Sequence, residues 1–187
     1  MIRLSEKYKK EAIPAMMEKF GYKNIMAVPK IKKVVINTSF GKLISGKSKD
    51  DQKKTYEAIM NDLAALSGQQ PILTNTKKSI ASFKTRKGIP IGAMVTLRKS
   101  KMFDFLERLI YITLPRSRDF RGIKPQSIDQ NGNLTIALKE QIDFPEISQE
   151  RIKNIFGLEM TIVTNSKTKE EGLNMFKLLG FPMKTEA

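Results

Sequence analysis

The feature that most restricts the fold of this chain is the two-residue alternation in residues 91–98, IGAMVTLR. In an extended strand the apolar residues at the odd positions lie on one face, and the opposite face carries Gly92, Met94, Thr96 and Arg98. Strands of parallel sheets are usually apolar on both faces, whereas antiparallel strands often keep one face open. The pattern therefore favours an antiparallel sheet that helices cover on one side.

Patterns elsewhere in the chain are consistent with such a sheet. Further strands are predicted at 31–37, 71–76 and 158–164, with a hairpin at 128–138 whose Asn131-Gly132 pair is typical of a type I′ turn. Helices are predicted at 3–20, with an interruption at Pro14, at 48–66 and 101–113, and from Thr168 to Leu179. Ser48 to Asp51 and Thr168 to Glu171 are predicted to cap the starts of two of these helices. Because the elements follow no regular βαβ order, the predicted fold class is α+β, with a largely antiparallel sheet backed by helices.

Two basic loops join these elements. Residues 77–90, KKSIASFKTRKGIP, separate two predicted strands and contain the breakers Gly88 and Pro90, so we expect a long basic loop there. Its Phe83 either stacks on an unpaired base or folds back onto its own hairpin. Residues 114–122, LPRSRDFRG, are predicted to form an Arg-rich loop.

The charge of the chain is unevenly distributed. Of the net +15, residues 1–100 carry 21 basic and 7 acidic side chains, a net of +14, and residues 101–187 carry 13 and 12, a net of +1. No carboxylate occurs between Asp62 and Asp104, a window that holds eight cations. An acid-free basic stretch indicates a polyanionic partner, for which nucleic acid is the commonest choice.

The composition excludes several classes of protein. Without Cys or His there is no disulfide framework, no thiolate nucleophile, no His-based triad and no common zinc site. Any enzyme would have to use carboxylates, lysines, tyrosines, hydroxyls and backbone amides alone. The sequence shows no convincing constellation of these groups, so we expect no enzyme, no cofactor and no metal. The length predicts one domain over 1–187. No run of 18 apolar residues and no signal-peptide pattern occurs, so we expect no membrane partner and a cytoplasmic location.

One short motif gives an alternative function. Gly41 to Ser48 matches G-x-x-x-x-G-K-[ST], the phosphate-binding P-loop, which would make the chain a nucleotide-binding phosphotransferase. Four residues intervene between Ile36 and the first glycine, and no later apolar strand ends in an Asp that could hold magnesium. A basic RNA chaperone without a fixed site is a second alternative.

Several longer segments resemble one family. GQQPILTNTKKSIASFKTRKGIPIGAMVTLR, LPRSRDFRGI, DQNGNL, FPEI and GLEMTIVTNSKTKEEG occur in the order and spacing of the bacterial-type large-subunit ribosomal protein that binds 5S rRNA in the central protuberance, the fifth in the conventional numbering. The resemblance extends over essentially the whole chain. It implies a structural protein of the large ribosomal subunit with no enzymatic activity.

The family's contacts carry over to matching positions of this sequence. The resemblance implies 5S rRNA contacts by Lys33, Asn37, Gln69, Lys77, Phe83, Thr96 and Arg98. It implies a loop that contacts P-site tRNA through Lys78, Ser79, Lys84, Arg86, Lys87 and Gly88. It also implies an intersubunit contact with a small-subunit head protein through Glu140, Asp143 and Glu146. Large-subunit rRNA and neighbouring proteins of the central protuberance are the other implied partners.

Overall fold

The structure is a computed structural model that describes residues 3–83, 85–118, 120–147 and 154–184. Five strands form one sheet: β1 Ile31–Ser39, β2 Ile72–Asn75, β3 Pro90–Leu97, β4 Leu134–Leu138 and β5 Leu158–Thr164. Their order in the sheet is β2-β3-β1-β5-β4, and the pairing is antiparallel. The α+β prediction with a largely antiparallel sheet is therefore confirmed.

The helices are α1 Leu4–Lys7, α2 Ile13–Phe20, α3 Gly41–Ile44, α4 Lys49–Ser67, α5 Lys99–Arg108, α6 Leu114–Arg116 and α7 Lys169–Leu179. Ser48 Oγ accepts a hydrogen bond from the Asp51 amide at 3.2 Å, and Thr168 Oγ1 accepts one from the Glu171 amide at 3.3 Å. Each hydroxyl satisfies one amide at a helix start that has no partner within the helix, so both predicted caps are confirmed. The segment predicted as an Arg-rich loop begins with the helical turn α6, which corrects the prediction.

The predicted interruption at Pro14 takes the form of a π-helical turn rather than a break. Residues Tyr8–Ala12 join α1 to α2, and the Ile13 amide closes the turn on the Tyr8 carbonyl. The same arrangement occurs before Pro115, where Leu109–Thr113 joins α5 to α6. A proline clashes with the carbonyl four residues earlier in an α-helix, and one inserted residue lets the helix continue past it.

The hairpin turn before β4 differs from the predicted type. The Gly132 amide donates to the Asp129 carbonyl at 3.1 Å, and the Asp129 amide donates to the Asn133 carbonyl at 2.9 Å. Gly132 has a φ of 72°, whereas Asn131 is not among the described residues with positive φ. A type I′ turn needs positive φ at both central residues, so the prediction was wrong and the loop has three residues with a left-handed glycine.

The chain divides into two compact units. Unit 1 comprises Met1–Val34, Arg98–Ile136 and Met160–Ala187, and unit 2 comprises Val35–Leu97 and Ala137–Glu159. Counted from the sequence, unit 1 has 21 basic and 10 acidic side chains, a net of +11, and unit 2 has 13 and 9, a net of +4. The units therefore do not coincide with the basic and near-neutral halves of the sequence. The single domain over 1–187 stays a prediction.

Candidate nucleic-acid interface

One face of the strands in unit 2 is open. β2 pairs with β3 so that Ile72 lies opposite Met94 and Thr74 opposite Gly92. Ala93, Val95 and Leu97 are at most 2% exposed, and α3 and α4 contact β3. On the opposite face Met94 and Thr96 are half-buried and Ile72 is 68% exposed. The alternation predicted for this strand is confirmed; we call the side that bears Thr74, Met94 and Thr96 the open face.

Gly92 makes the open face flat at its centre. A Cβ atom at this position would lie 2.7 Å from the Thr38 carbonyl oxygen and 2.7 Å from Thr74 Oγ1. Real Cβ atoms do not approach backbone oxygens so closely, and the carbonyl belongs to a strand that cannot easily move. The sequence alone gave only a lone glycine in a strand, which is a sign of close approach.

β1 contributes polar side chains to the same unit. Asn37 and Ser39 are exposed, and Thr38, which points the other way, is buried. Thr38 Oγ1 donates to the Gly157 carbonyl at 2.7 Å, and Ser39 Oγ donates to the Ile91 carbonyl at 3.4 Å. Asn37 therefore presents an exposed side-chain amide, which can donate to and accept from a ribose hydroxyl.

The basic loop between β2 and β3 has an ordered neck and tip. The Thr76 amide donates to the Ile89 carbonyl at 2.9 Å, and the Gly88 amide donates to the Thr76 carbonyl at 2.9 Å. Nearer the tip, Ile80 and Thr85 exchange backbone hydrogen bonds of 3.1 and 3.2 Å. One 3₁₀ turn, Ala81–Phe83, forms the end. The loop is a two-stranded extension that holds its tip away from the neck.

The tip presents an aromatic ring among cations. Phe83 is 70% exposed, so the ring is not folded onto its own hairpin. The described cations of the loop are all exposed, and none forms an ion pair with a described carboxylate: Lys77, Lys78, Arg86 and Lys87. Lys84, which the sequence also assigned to this loop, lies outside the described residues. Exposed cations beside an exposed ring can bind phosphates and stack on a base at the same time.

Two predicted contact residues have backbone roles as well. Ser79 Oγ accepts a hydrogen bond from the Lys87 amide at 3.0 Å and so joins the two sides of the loop. Gln69 follows the left-handed Gly68 that ends α4, and its amide donates to Ser67 Oγ at 3.3 Å. The Gln69 side chain is exposed on this fixed backbone.

Two other predicted RNA contacts lie in unit 1. Lys33 is half-buried on β1. Arg98 is exposed directly before α5, and it is followed by Lys99, which has a φ of 55°. This left-handed conformation is costly for a residue with a side chain. Lys33 and Arg98 are therefore both placed on fixed backbone rather than on loops.

The carboxylates predicted to meet a protein partner lie together in unit 2. Glu140, Asp143 and Glu146 are half-buried on and beside the 3₁₀ turn Gln141–Asp143. The fully buried Gln141 holds this turn, because its Nε2 donates to the Asn154 carbonyl at 2.6 Å and its Oε1 accepts from the Phe156 amide at 2.9 Å. The role of Gln141 could not be predicted from the sequence, since a single polar residue gives no sign of burial.

The segment that matches a P-loop has a different structure. Its first four residues form α3, and the amides of Leu43, Ile44 and Ser45 donate to carbonyls of Phe40 and Gly41. A P-loop needs such amides free to point at phosphates. Lys47 Nζ donates to Thr55 Oγ1 at 3.1 Å, and the hydroxyl of Ser48 donates to Asp51 Oδ2 at 2.7 Å. The groups that would hold a nucleotide are thus engaged within unit 2.

Within residues 3–83, 85–118, 120–147 and 154–184, no group of three or more acidic side chains could hold a metal ion. The same ranges contain no helix with both the length and the apolar character that crossing a bilayer requires.

Two family models match the chain over nearly its full length. The model described as ribosomal protein L5 matches residues 24–86, and the one described as the C-terminus of the same ribosomal family matches residues 90–183. The boundary between them falls in the last residues of the basic loop. Apart from Lys87 and Gly88, which lie between the two matches, the residues of the candidate interface are covered.

Full-length relatives agree with the family models. The large ribosomal subunit protein uL5 of Caldanaerobacter subterraneus subsp. tengcongensis is 50% identical over 182 residues, which cover 97% of this chain and 98% of the relative. The proteins of the same name from Halothermothrix orenii and Chloroflexus aggregans are each 49% identical, over 96% and 98% of this chain and 97% and 98% of their own lengths.

Sheet, basic loop and relatives together define a class, the structural proteins of the large ribosomal subunit. The chain belongs to the ribosomal protein L5 family. Its partners include rRNA, its role is structural rather than enzymatic, and the expected cytoplasmic location in the large subunit follows from the family. The resemblance stated from sequence is confirmed, and the phosphotransferase alternative is wrong.

Proposed function

We propose that this ribosomal protein binds 5S rRNA through the open face of unit 2 and helps to attach that RNA in the central protuberance. Asn37 and Thr96 hydrogen-bond to ribose hydroxyls and phosphates, and Gly92 lets the RNA backbone approach the sheet. Lys33 and Arg98 of unit 1, with Gln69 and Lys77 of unit 2, complete the proposed contact set. Arg98 can bind a phosphate through two parallel hydrogen bonds.

The observation that carries this proposal is the chemistry of the open face and its loop. Thr74, Thr96 and Gly92 lie on one sheet face, Asn37 is exposed on β1 of the same unit, and the loop after β2 exposes cations that form no ion pair with a described carboxylate. Hydroxyls and a flat backbone suit the shallow groove of an RNA helix, which displays ribose hydroxyls.

The loop and the carboxylate turn serve two further partners in this proposal. The loop contacts P-site tRNA with Lys78, Arg86 and Lys87, while Ser79 and Gly88 maintain its shape and Phe83 stacks on a 5S base. Lys84 is included on sequence grounds alone. Glu140, Asp143 and Glu146 contact a basic protein of the small-subunit head, because three carboxylates on and beside one fixed turn favour a cationic partner.

The test is a salt titration with two RNAs of equal length, a 5S rRNA transcript and a scrambled transcript. We expect the protein to prefer the 5S transcript at moderate salt, where contacts to phosphates alone are weakened. Asn37→Ala with Thr96→Val removes two hydrogen-bonding groups and should cost about 1 kcal/mol each, or roughly tenfold or more in 5S affinity. Binding to the scrambled transcript should change little.

A matched control is Asn61→Ala with Thr161→Val, which makes the same chemical changes on the exposed side of α4 and on β5. This variant should bind 5S rRNA as the unaltered protein does. Equal affinity of the unaltered protein for both transcripts would leave only a basic RNA chaperone. Equal losses in both double variants would show that the open face is not the contact surface.

A further inference from the structure

A short apolar turn precedes β1 in unit 1. Residues 23–27 are all exposed, and Ile25–Ala27 forms a single 3₁₀ turn. The side chain of Met26 is 73% exposed and that of Ile25 is 59% exposed. The free energy falls when a partner covers two adjacent large apolar side chains that are otherwise exposed to water.

The turn is held at both ends, so its apolar side chains stay outside. Asn24 Oδ1 accepts a hydrogen bond from the Met26 amide at 2.8 Å, which fixes the first residues of the turn. After the turn, Val28 and Pro29 are buried, and the Tyr8 hydroxyl donates to the Pro29 carbonyl at 3.0 Å. A contact element that is already ordered loses little conformational entropy on binding.

The turn lies in a second acid-free stretch that the charge analysis of the sequence did not identify. No carboxylate occurs between Glu18 and Asp50, and these 31 residues contain eight lysines. Lys23 and Lys30 flank the turn, and both are exposed. The Lys30 amide donates to Asn165 Oδ1 at 2.6 Å, so this lysine projects from fixed backbone.

Of the two carboxylates in the first turn of α7, Glu171 is already engaged. Glu171 Oε2 accepts from the Lys167 amide at 2.8 Å and lies beside the Tyr22 hydroxyl. It therefore caps its own helix rather than neutralising the lysines that flank the turn. A polyanion can approach these lysines, while a protein partner would need an apolar pocket ringed by acid.

We propose that this turn, which belongs to unit 1, is a second RNA contact. Ile25 and Met26 pack against an unstacked base of large-subunit rRNA, and Lys23 and Lys30 bind the phosphates on either side. Isoleucine and methionine are among the side chains that proteins insert between bases, and rRNA loops expose unstacked bases. The proposal rests on the proposed function, because it assumes that the protein is assembled on rRNA.

Photocrosslinking in assembled large subunits tests it. The protein is made with Met26→p-benzoylphenylalanine, incorporated into subunits and irradiated. We expect an adduct that ribonuclease shortens, with the crosslinked nucleotide in a non-helical segment of rRNA. An adduct with protein, or no adduct from subunits that contain the variant, would overturn the proposal.

The control places the same photoreactive group at Ile112, an apolar residue of unit 1 that is 40% exposed and lines a groove with Asp104 and Glu107. We expect no RNA adduct there, and equal RNA crosslinking at both positions would also overturn the proposal. Ile25→Ser with Met26→Ser should weaken retention in subunits washed at high salt, and unchanged retention would contradict it. If only the proposal about the turn is wrong, the purified protein still prefers the 5S transcript. If the proposed function is wrong, the purified protein shows no preference for the 5S transcript.

Discussion

At the scale of single residues, Gly92 determines the shape of the open face. Every other residue type would place a Cβ atom 2.7 Å from the Thr38 carbonyl oxygen, inside the contact distance of carbon and oxygen. The glycine therefore has a steric role on the strand and leaves the backbone accessible to a partner. The stability of the strand depends on this position, and the proposed RNA contact depends on it as well.

Gly92→Ala should destabilise the protein by about 1–3 kcal/mol, the usual cost of forcing an atom into a filled site. For a chain of this size that corresponds to a fall in Tm of about 2–4 °C per kcal/mol. Thermal unfolding measures it. Gly41→Ala is the matched control, because its Cβ would lie an ordinary 3.7 Å from Ile91 within a helical turn. Equal Tm values for the two variants would show that the backbone at Thr38 moves aside at little cost in stability.

Asp62, which is half-buried on α4, makes the stability of the protein depend on pH. Burial raises the pKa of its carboxyl above the ordinary value, so the folded state binds this proton more tightly than the unfolded state does. The protonated carboxyl contributes fully to the free energy of unfolding below its pKa in the unfolded state, which is near 4. This contribution is lost as the pH rises through the pKa of the carboxyl in the folded state. At pH 7 the ionised carboxylate therefore lowers the free energy of unfolding.

Asp62→Asn should raise the Tm at pH 7 and leave it nearly unchanged at pH 3, because the amide is neutral at both. Thermal unfolding at the two pH values measures the difference. Asp50→Asn provides the comparison, since Asp50 is an exposed carboxylate in the first turn of the same helix. A Tm gain of equal size at pH 3 would show that burial of the charge is not the cause.

At the scale of elements, the basic loop works as a braced hairpin extension. Its neck is closed by Thr76 and Ile89 and its sides by Ser79 and Lys87, so the tip has a defined direction. The sequence predicted the loop from its breakers and its lysines. It could not show that Phe83 is exposed, because exposure depends on the backbone bonds between the two sides of the loop.

Arg86→Ala with Lys87→Ala should weaken P-site tRNA binding several-fold and leave 5S rRNA affinity nearly unchanged. Both cations are exposed on the loop, and neither belongs to the proposed set of 5S contacts. The measurements are tRNA binding to ribosomes that contain the variant and 5S binding by the free protein. Lys53→Ala with Lys54→Ala removes the same charge from α4 and controls for net charge. Equal loss of tRNA binding and 5S binding would show that the proposal assigns the loop to the wrong ligand.

The helices show a second limit of prediction at this scale. Pro14 was expected to interrupt the first helix, and the helix predicted at 101–113 was expected to give way to a loop at Leu114. In both places the amide before the proline bonds five residues back, and the helix continues. A sequence shows that a proline strains a helix, but packing determines whether the chain breaks or inserts a residue.

At the scale of the whole molecule, charge and compact units are distributed differently. The sequence places +14 in residues 1–100, whereas unit 1, which takes segments from both halves, carries +11 of the total. Strand β1 supplies residues to each unit, so residues that are neighbours in the sequence belong to different units. Each unit in turn combines segments that are distant in the sequence. Basic contacts are accordingly expected on both units, as the proposed open face and apolar turn require.

The sequence by itself determined the fold class, the helix caps, the alternation of β3 and the membership of the ribosomal protein L5 family. These properties depend on local periodicity, on side chains that bond to nearby amides, and on long motifs kept in order. The tertiary structure alone decided the flat centre at Gly92, the exposure of Phe83, the role of buried Gln141 and the engagement of the P-loop amides. Each of these depends on which distant backbone atoms come within bonding distance, and strand pairing and packing fix those distances.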